Sequence, residues 1–332
     1  MPRSGTTLFS SILDAHPDIA ISPETHFYTR CRNREAETSR ESSLEQVWTC
    51  LQQQPGFRDM AFSDEEKQRI RERIRAGQGG APARVLRAVE TTYAERSGAE
   101  AWGEKTPDHL QHVPDMLHDF PDAVVVAIVR DPRDVCLSLR GMPWNYDSLP
   151  ESTLKWRRYA RLTEDFRRNY PSQFREVRYE DLLEDPGRVV RGILDWIGAS
   201  FDASVLAYHQ RETGPADAQR EPWKEKAHQS IDPENEEKWR DQMSPGERAV
   251  VERLAGPMMR AKQYAPQSPP IDAALVVDLG HVLGRTLATI GRRFWRRLHL
   301  TGSRPGDYTP GWIRAREGDA EDHGRQEDRS EA

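Results

Sequence analysis

The chain has 332 residues with 48 Lys and Arg against 54 Asp and Glu, a formal net charge of −6. That balance gives no reason to expect nucleic acid as a bulk electrostatic partner, and the length permits one full core plus an extension. Cys31, Cys50 and Cys136 are an odd set without metal-ligand spacing, so they are expected as buried or free thiols in a reducing compartment, and no metal site is expected.

The first feature along the chain is Met1-Pro2-Arg3-Ser4-Gly5-Thr6-Thr7-Leu8. Small residues let the backbone turn tightly with converging N–H groups, and the two threonines add hydroxyl donors. Leu8, Ile12 and Leu13 then read as the buried stripe of a helix, so a phosphate or sulfate fits at its start. Loops of this kind ordinarily follow a buried parallel strand. Only Met1 precedes Pro2 here, so that first strand is expected upstream of Met1 or lost. The helix, Leu8 to Ala15, stops at His16-Pro17, and Ile19 to Ser22 reads as a short strand leading to Pro23-Glu24-Thr25-His26. Residues 30–43 are polar and expected as a surface loop. Helical patterns at Leu44–Gln53, Asp64–Ala76 and Arg84–Arg96 are separated by Pro55-Gly56 and Gly77-Gln78-Gly79-Gly80. They predict a helical insert over 44–97, placed to cover a substrate.

The chain returns to the sheet at Ala101-Trp102-Gly103, followed by Glu104-Lys105-Thr106-Pro107 and a helix from Asp108 to Asp119. Val124 to Val129 is a continuous apolar run, the pattern of a parallel strand covered on both faces. It delivers Arg130 to a helix that carries Ser138, which predicts a second anion site beside the first. A helix over Ser152–Asn169, a strand over Arg175–Arg178 and helices over Pro186–Ile197 and Ser244–Tyr264 complete the pattern. Alternating strands and helices predict a doubly wound parallel α/β sheet flanked by helices, contained in residues 1–265.

Beyond Pro266, the residues Val276, Leu279, Leu283, Leu287, Ile290, Phe294 and Leu298 recur at three- and four-residue steps, with Arg292, Arg293, Arg296 and Arg297 crowding the end. Such a stripe is read first as a buried packing or dimer face. Peripheral membrane contact or partner docking through residues 273–298 is the alternative. No apolar run is expected to reach the ~20 residues of a spanning helix, and no charged n-region precedes an apolar h-region at the start. The chain is therefore expected to be soluble and cytoplasmic, with any targeting segment upstream of Met1 out of view. Residues 301–332, almost without apolar side chains after Glu317, are expected to be disordered.

Four motifs stand in order over residues 2–186: Pro2-Arg3-Ser4-Gly5-Thr6-Thr7, Leu13-Asp14-Ala15-His16-Pro17, Val129-Arg130-Asp131-Pro132-Arg133 with Ser138, and Arg178-Tyr179-Glu180-Asp181-Leu182 with Asp185-Pro186. Together they resemble the sulfotransferases that use 3′-phosphoadenosine 5′-phosphosulfate, in the branch that includes bacterial and tyrosylprotein sulfotransferases; Lys238-Trp239 is a weaker echo. The resemblance implies a P-loop-like fold, that co-substrate bound without a metal, and in-line transfer to an acceptor hydroxyl or amine. It implies that Arg3, Ser4, Gly5, Thr6 and Thr7 hold the 5′-phosphosulfate and that Arg130 and Ser138 clamp the 3′-phosphate. Lys238 falls near the nucleotide, and Tyr179 either approaches the adenine or 3′-phosphate region or packs at the strand end. Arg133 is read as a structural ion pair with Asp131 or Asp134, and His16 as a cap or packing residue.

Arg3 and Lys105 are the candidate cations for charge on the leaving oxygen. The resemblance to the tyrosylprotein branch, which carries its catalytic carboxylate in a similar Glu-Thr context, makes Glu24 the first choice for the base, with His26 and Glu104 as rivals. The expected acceptor is a carbohydrate, lipid or small-molecule hydroxyl, with protein tyrosine second. Two other readings stand beside this one. An ATP-dependent kinase would need the Lys of GxxxxGK[ST] after the last Gly, where this chain has Thr6-Thr7. A non-catalytic nucleotide- or membrane-binding module would rely on the helix near the C-terminus.

Overall fold

A computed structural model describes residues 1–32, 40–211, 229–267 and 273–299. The first half runs α1 (Thr6–Asp14), β1 (Ile19–Ser22), α2 (Phe27–Arg30), α3 (Arg40–Gln52), α4 (Pro55–Asp59), α5 (Asp64–Ala76), α6 (Ala81–Ser97) and β2 (Ala101–Glu104). A 3-10 turn over Pro107–His112 leads into α7 (Val113–Asp119), then β3 (Val125–Val129), α8 (Pro132–Arg140), α9 (Leu149–Asn169) and β4 (Phe174–Arg178). There follow α10 (Tyr179–Glu184), α11 (Pro186–Ile197), a 3-10 stretch over Ala203–Gln210, α12 (Trp239–Gln242), α13 (Pro245–Ala261) and α14 (Ala273–His299).

Every strand pairing is parallel, as the buried Val125–Val129 pattern requires. Ile19 lies opposite Ala101 and Ser22 opposite Glu104 in one pair, and Val125 opposite Phe174 and Val129 opposite Arg178 in the other. The expected continuous sheet is met as these two pairs, with no ladder between β2 and β3 among the described residues. Met1 joins Ala127 and Val129 of β3 in one buried cluster, and no described strand precedes the loop that opens α1.

Helix starts differ from the periodicity reading where proline is involved. α6 and α9 begin at Ala81 and Leu149, ahead of the first apolar repeat, because Pro82 and Pro150 suit a first helical turn whose amides need no intrahelical partner. The helix expected over Asp108–Asp119 divides into a 3-10 turn and α7, since Pro114 is accommodated near a helix start and not inside one.

The helical insert has its own core, in which Phe27, Trp48, Leu51, Phe57, Ile70 and Val89 are all buried. A disulfide between Cys31 and Cys50, Cα atoms 5.5 Å apart, ties the end of α2 to the last turn of α3. This corrects the free-thiol reading for both residues: a separation of 19 residues carries no local signal, and only packing of the insert brings the pair together. Cys136 is a buried free thiol. The loop expected over residues 30–43 is shortened by α3, which starts at Arg40, and residues 33–39 lie outside the described residues.

The reading of the α14 stripe as a face packed within this chain is the second correction. Leu275 and Val282 are buried, but Val276, Leu283, Leu287 and Ile290 are 60, 59, 60 and 46 % exposed. The stretch Ala273–Arg293, with a mean hydropathy of 1.4, is also long and apolar enough to cross a membrane by length and composition, contrary to the expectation that no run approaches that length. The tail expected over residues 301–332 lies outside the described residues.

Candidate functional site

The anion loop is built around Gly5, which opens α1 at φ 90° in the left-handed region. A Cβ there would sit 2.2 Å from Tyr179 Cδ2, so the position needs glycine both for its backbone and for the ring against it. Arg3 also takes a positive φ of 67°, a conformation that non-glycine residues seldom hold outside functional loops. Ser63 and Ser244 form capping boxes on α5 and α13, and Asp131 and Asp185 cap α8 and α11, whereas α4 and α6 have neither a side-chain cap nor an acidic residue in the first turn. α1 has no side-chain cap and no acidic residue in its first turn. Its first-turn amides therefore have no side-chain acceptor at the N-cap, and the positive end of the helix dipole favours an anion there.

Arg3 Nε donates to Ser138 Oγ at 2.9 Å, which fastens the loop to α8. Arg130, at the end of β3, stacks 4.5 Å from the Tyr179 ring centroid and donates through Nη2 to the Asn235 carbonyl at 2.7 Å. Asn235 Nδ2 donates to the Tyr179 hydroxyl at 2.7 Å, and Lys238 Nζ donates to Asn235 Oδ1 at 2.5 Å. The Tyr179 ring thus touches the loop at Gly5 and Arg130 at the same time. Arg130 Nε and Ser4 Oγ are buried without a hydrogen-bond partner among the described residues. Leaving such groups unsatisfied costs on the order of 1–3 kcal/mol each. Phosphate or sulfate oxygens are acceptors of the kind both groups need, so the donor set fits a phosphosulfate nucleotide.

Lys105 and Glu24 follow the ends of β2 and β1. The parallel register that sets Ser22 opposite Glu104 brings both side chains out at the same carboxyl edge, the usual place for a site in an open α/β sheet. Lys105 Nζ donates to Glu24 Oε1 and lies 3.5 Å from Thr7 Oγ1 on α1. A cleft of about 460 Å³ opens there, walled by Thr7, Glu24 and Lys105, by Asp59 and Arg96 of the insert, and by Arg211. His26 Nε2 is 4.0 Å from Glu24 Oε2; burial lowers its pKa against the pull of Glu24.

Glu104 is occupied structurally. It accepts from the Thr25 amide and hydroxyl at 3.1 and 2.8 Å and from the Thr106 hydroxyl at 2.5 Å, and His109 Nδ1 lies 2.8 Å away. Burial pushes its pKa up, but the facing His109 and these hydrogen bonds outweigh it and hold the carboxyl down at about 2. That leaves Glu104 a poor proton acceptor. Behind it, Glu90 is buried with only Ser22 Oγ, 3.1 Å away, on Oε1, and burial together with the Glu104 charge raises its pKa well above the carboxylate range.

Arg133 pairs with Asp131 and Glu252, each at 2.7 Å, and stacks 3.6 Å from the Trp239 ring centroid. Of the two alternative acids expected, Asp131 is the partner and Glu252 is an additional one, while Asp134 accepts from the Trp239 amide at 3.0 Å. His16 is buried, with Nε2 2.8 Å from the Ser200 carbonyl. Sequence reasoning missed Asn235, which joins Tyr179, Arg130 and Lys238. The only available signal was its position three residues before Lys238.

The family described as Sulfotransferase family matches residues 1–203. A putative protein-tyrosine sulfotransferase of Caenorhabditis briggsae is 25% identical over 215 residues, which cover 63% of this chain and 67% of the relative. Protein-tyrosine sulfotransferase 1 of Danio rerio is 24% identical over 232 residues, 65% of this chain and 56% of the relative. The chain spans about half to two thirds of the length of these curated relatives. Two solved structures share the fold: the sulfotransferase domain from the Synechococcus PCC 7002 olefin synthase, with a TM-score of 0.55, 23% identity and coverage of 80% of this chain and 92% of that one, and the sulfotransferase domain from the curacin biosynthetic pathway, with 0.56, 18%, 80% and 95%.

Proposed function

The chain belongs to the sulfotransferase family, and from that premise we propose that it transfers a sulfuryl group from 3′-phosphoadenosine 5′-phosphosulfate to an acceptor hydroxyl. The donor supplies an activated sulfuryl group on its 5′-phosphate. The acceptor oxygen bonds to sulfur, the bridging S–O bond breaks, the hydroxyl proton passes to Glu24, and 3′-phosphoadenosine 5′-phosphate leaves. The α1 amides with Ser4, Thr6, Thr7 and Arg3 hold the 5′ end, while Arg130, Ser138, Tyr179 and Lys238 hold the 3′-phosphate and adenine end. Lys105 and Arg3 stabilise charge on the bridging oxygen.

The observation that carries this reading is Lys105, bonded to the base Glu24 and within 3.5 Å of Thr7 on the anion loop. One cation in contact with both the loop and the base suits a reaction in which an acceptor loses a proton while a phosphate oxygen gains charge. A carbohydrate, lipid or small-molecule hydroxyl is the first acceptor class. The names of the curated relatives favour a protein tyrosine as the second. A cytoplasmic address finds no support, and the Cys31–Cys50 disulfide supports an oxidising compartment instead.

The test is calorimetric titration with 3′-phosphoadenosine 5′-phosphate in the absence of magnesium, beside AMP. The expected result is tight binding of the first and weak binding of the second. Equal affinities would remove the 3′-phosphate clamp, and a requirement for magnesium would move the chain toward a kinase.

A further inference from the structure

Sulfuryl transfer as proposed above relies on Glu24 and Lys105, yet both lie beyond the ladder that joins their strands. The pairing of β1 with β2 ends at Ser22 opposite Glu104, and Pro23, next along the chain, has no amide with which to extend it. Two long side chains past the end of a ladder lose rotamer freedom only if something else fixes the loops that carry them. The Glu104 carboxylate does so.

The Glu104 side chain is 7 % exposed, and one of its oxygens takes bonds from both loops. Oε1 accepts from the amide and hydroxyl of Thr25, the residue after Glu24, at 3.1 and 2.8 Å. The same oxygen accepts from the hydroxyl of Thr106, the residue after Lys105, at 2.5 Å. Thr106 Oγ1 in turn accepts from the His26 amide at 3.3 Å, which ties the two loops a second time. Oε2 is held by His109. The Tyr28 amide donates to His109 Nε2 at 3.2 Å, which leaves the ring proton on Nδ1, 2.8 Å from Oε2, so α2 and the turn over Pro107–His112 are anchored to the same carboxylate. Held down at about 2, the carboxyl is ionised around neutral pH and accepts on both oxygens, whereas a neutral one would push a proton into a ring of donors. His26, between these bonds, has φ 51°, a conformation that persists only where the surroundings over-determine it.

Resting on the proposed function, we infer that Glu104 is a positioning residue: one buried carboxylate sets the base Glu24 against the cation Lys105 by bonding the residue that follows each. Its effect on the reaction runs through that pair and not through the reacting atoms. Placement matters at this scale, because a misplacement of about 1 Å can cost about a hundredfold in rate.

The experiment is a double-mutant cycle between Thr106→Val and Lys105→Ala, since in Glu104→Gln a loss of stability and a loss of position would coincide. Turnover is read as sulfate or sulfated product formed from radiolabelled donor, with water and para-nitrophenol as acceptors, beside calorimetry with 3′-phosphoadenosine 5′-phosphate. Thr106→Val keeps the shape of the side chain and removes its hydroxyl. It should lower kcat about tenfold while keeping the wild-type affinity for 3′-phosphoadenosine 5′-phosphate, which certifies the fold; Thr106→Ala, read in the same way, stands in if valine is not accommodated. Thr106→Ser restores the hydroxyl and should recover most of the loss. In the Lys105→Ala background, Thr106→Val should cost less than about twofold more, because the pair it positions is already broken. Full turnover in Thr106→Val overturns the inference. So does the same tenfold loss with and without Lys105, which makes Glu104 a purely structural residue. A wild type that turns over no donor refutes the proposed function and the inference with it, whereas failure of the inference alone shows only in the variants.

Discussion

The two parallel strand pairs end in different kinds of surface. At the carboxyl edge of β1 and β2, the polar groups satisfy one another: Glu104 is surrounded by Thr25, Thr106 and His109, and Glu24 is bonded to Lys105. At the edge of β3 and β4, with the adjoining loop, Arg130 Nε and Ser4 Oγ are buried without a hydrogen-bond partner among the described residues, and α1 has no side-chain cap. The first edge is set in place before any ligand arrives. Under the proposed function, an anion supplies the missing acceptors at the second. Pre-set dipoles and charges suit bond making, where reorganisation is costly, whereas unsatisfied donors suit ground-state binding.

This contrast can be broken or sharpened by substitution. The largest effect is expected at Lys105. Lys105→Ala should lower turnover by about 10²–10³ with little change in the affinity for 3′-phosphoadenosine 5′-phosphate, read by steady-state kinetics and calorimetry together; a loss confined to binding would place Lys105 on the donor side. Next is Glu104→Gln, for which a loss of about 3 kcal/mol in stability at neutral pH is expected, because the variant leaves buried donors without a charged acceptor. The folded pKa of Glu104 lies below the unfolded value, so its contribution is full above about 4.5 and is lost as pH falls toward about 2. Urea denaturation should therefore show the gap between wild type and variant closing in acid.

Arg130→Ala addresses the other edge. It should weaken 3′-phosphoadenosine 5′-phosphate about a hundredfold while leaving AMP nearly unaffected; equal losses for both ligands would show that Arg130 does not read the 3′-phosphate. The smallest effect belongs to Glu90→Gln. Burial raises the folded pKa of Glu90, so the wild type loses stability as pH rises from the carboxylate range toward that raised value. The variant should match the wild type in mild acid and melt a few degrees higher above neutral pH. A lower melting temperature throughout would mean that the Ser22 contact outweighs the buried charge.

Much of the site was legible because its chemistry is carried by short runs of sequence. Arg3 to Thr7 form one turn, Arg130 and Ser138 lie eight residues apart before and within α8, and Lys105 and Glu24 each follow one short strand. Their mutual contacts were not legible. The sequence ranks Glu24 ahead of His26 and Glu104 but does not show what occupies each; Glu104 is set apart by partners such as Thr25, Thr106 and His109, some brought from as far as 79 residues away. The same holds for Asn235, whose importance lies entirely in the three side chains around it. Proline placement misled in the other direction, since α6 and α9 begin before their apolar repeats do.

By itself the sequence determined the anion loop, the parallel strand type, the helical insert and the residue types of both edges, since each depends on interactions within one element or on the period of burial. The tertiary structure alone decided that Cys31 meets Cys50, that Glu104 is locked while Glu24 faces the cleft, and that α14 shows its apolar stripe to solvent. Periodicity states that a helix has two faces. Which of them is covered depends on the charges and cavities of the helices beside it, and for α14 the acids Glu247 and Glu151 claimed the polar one.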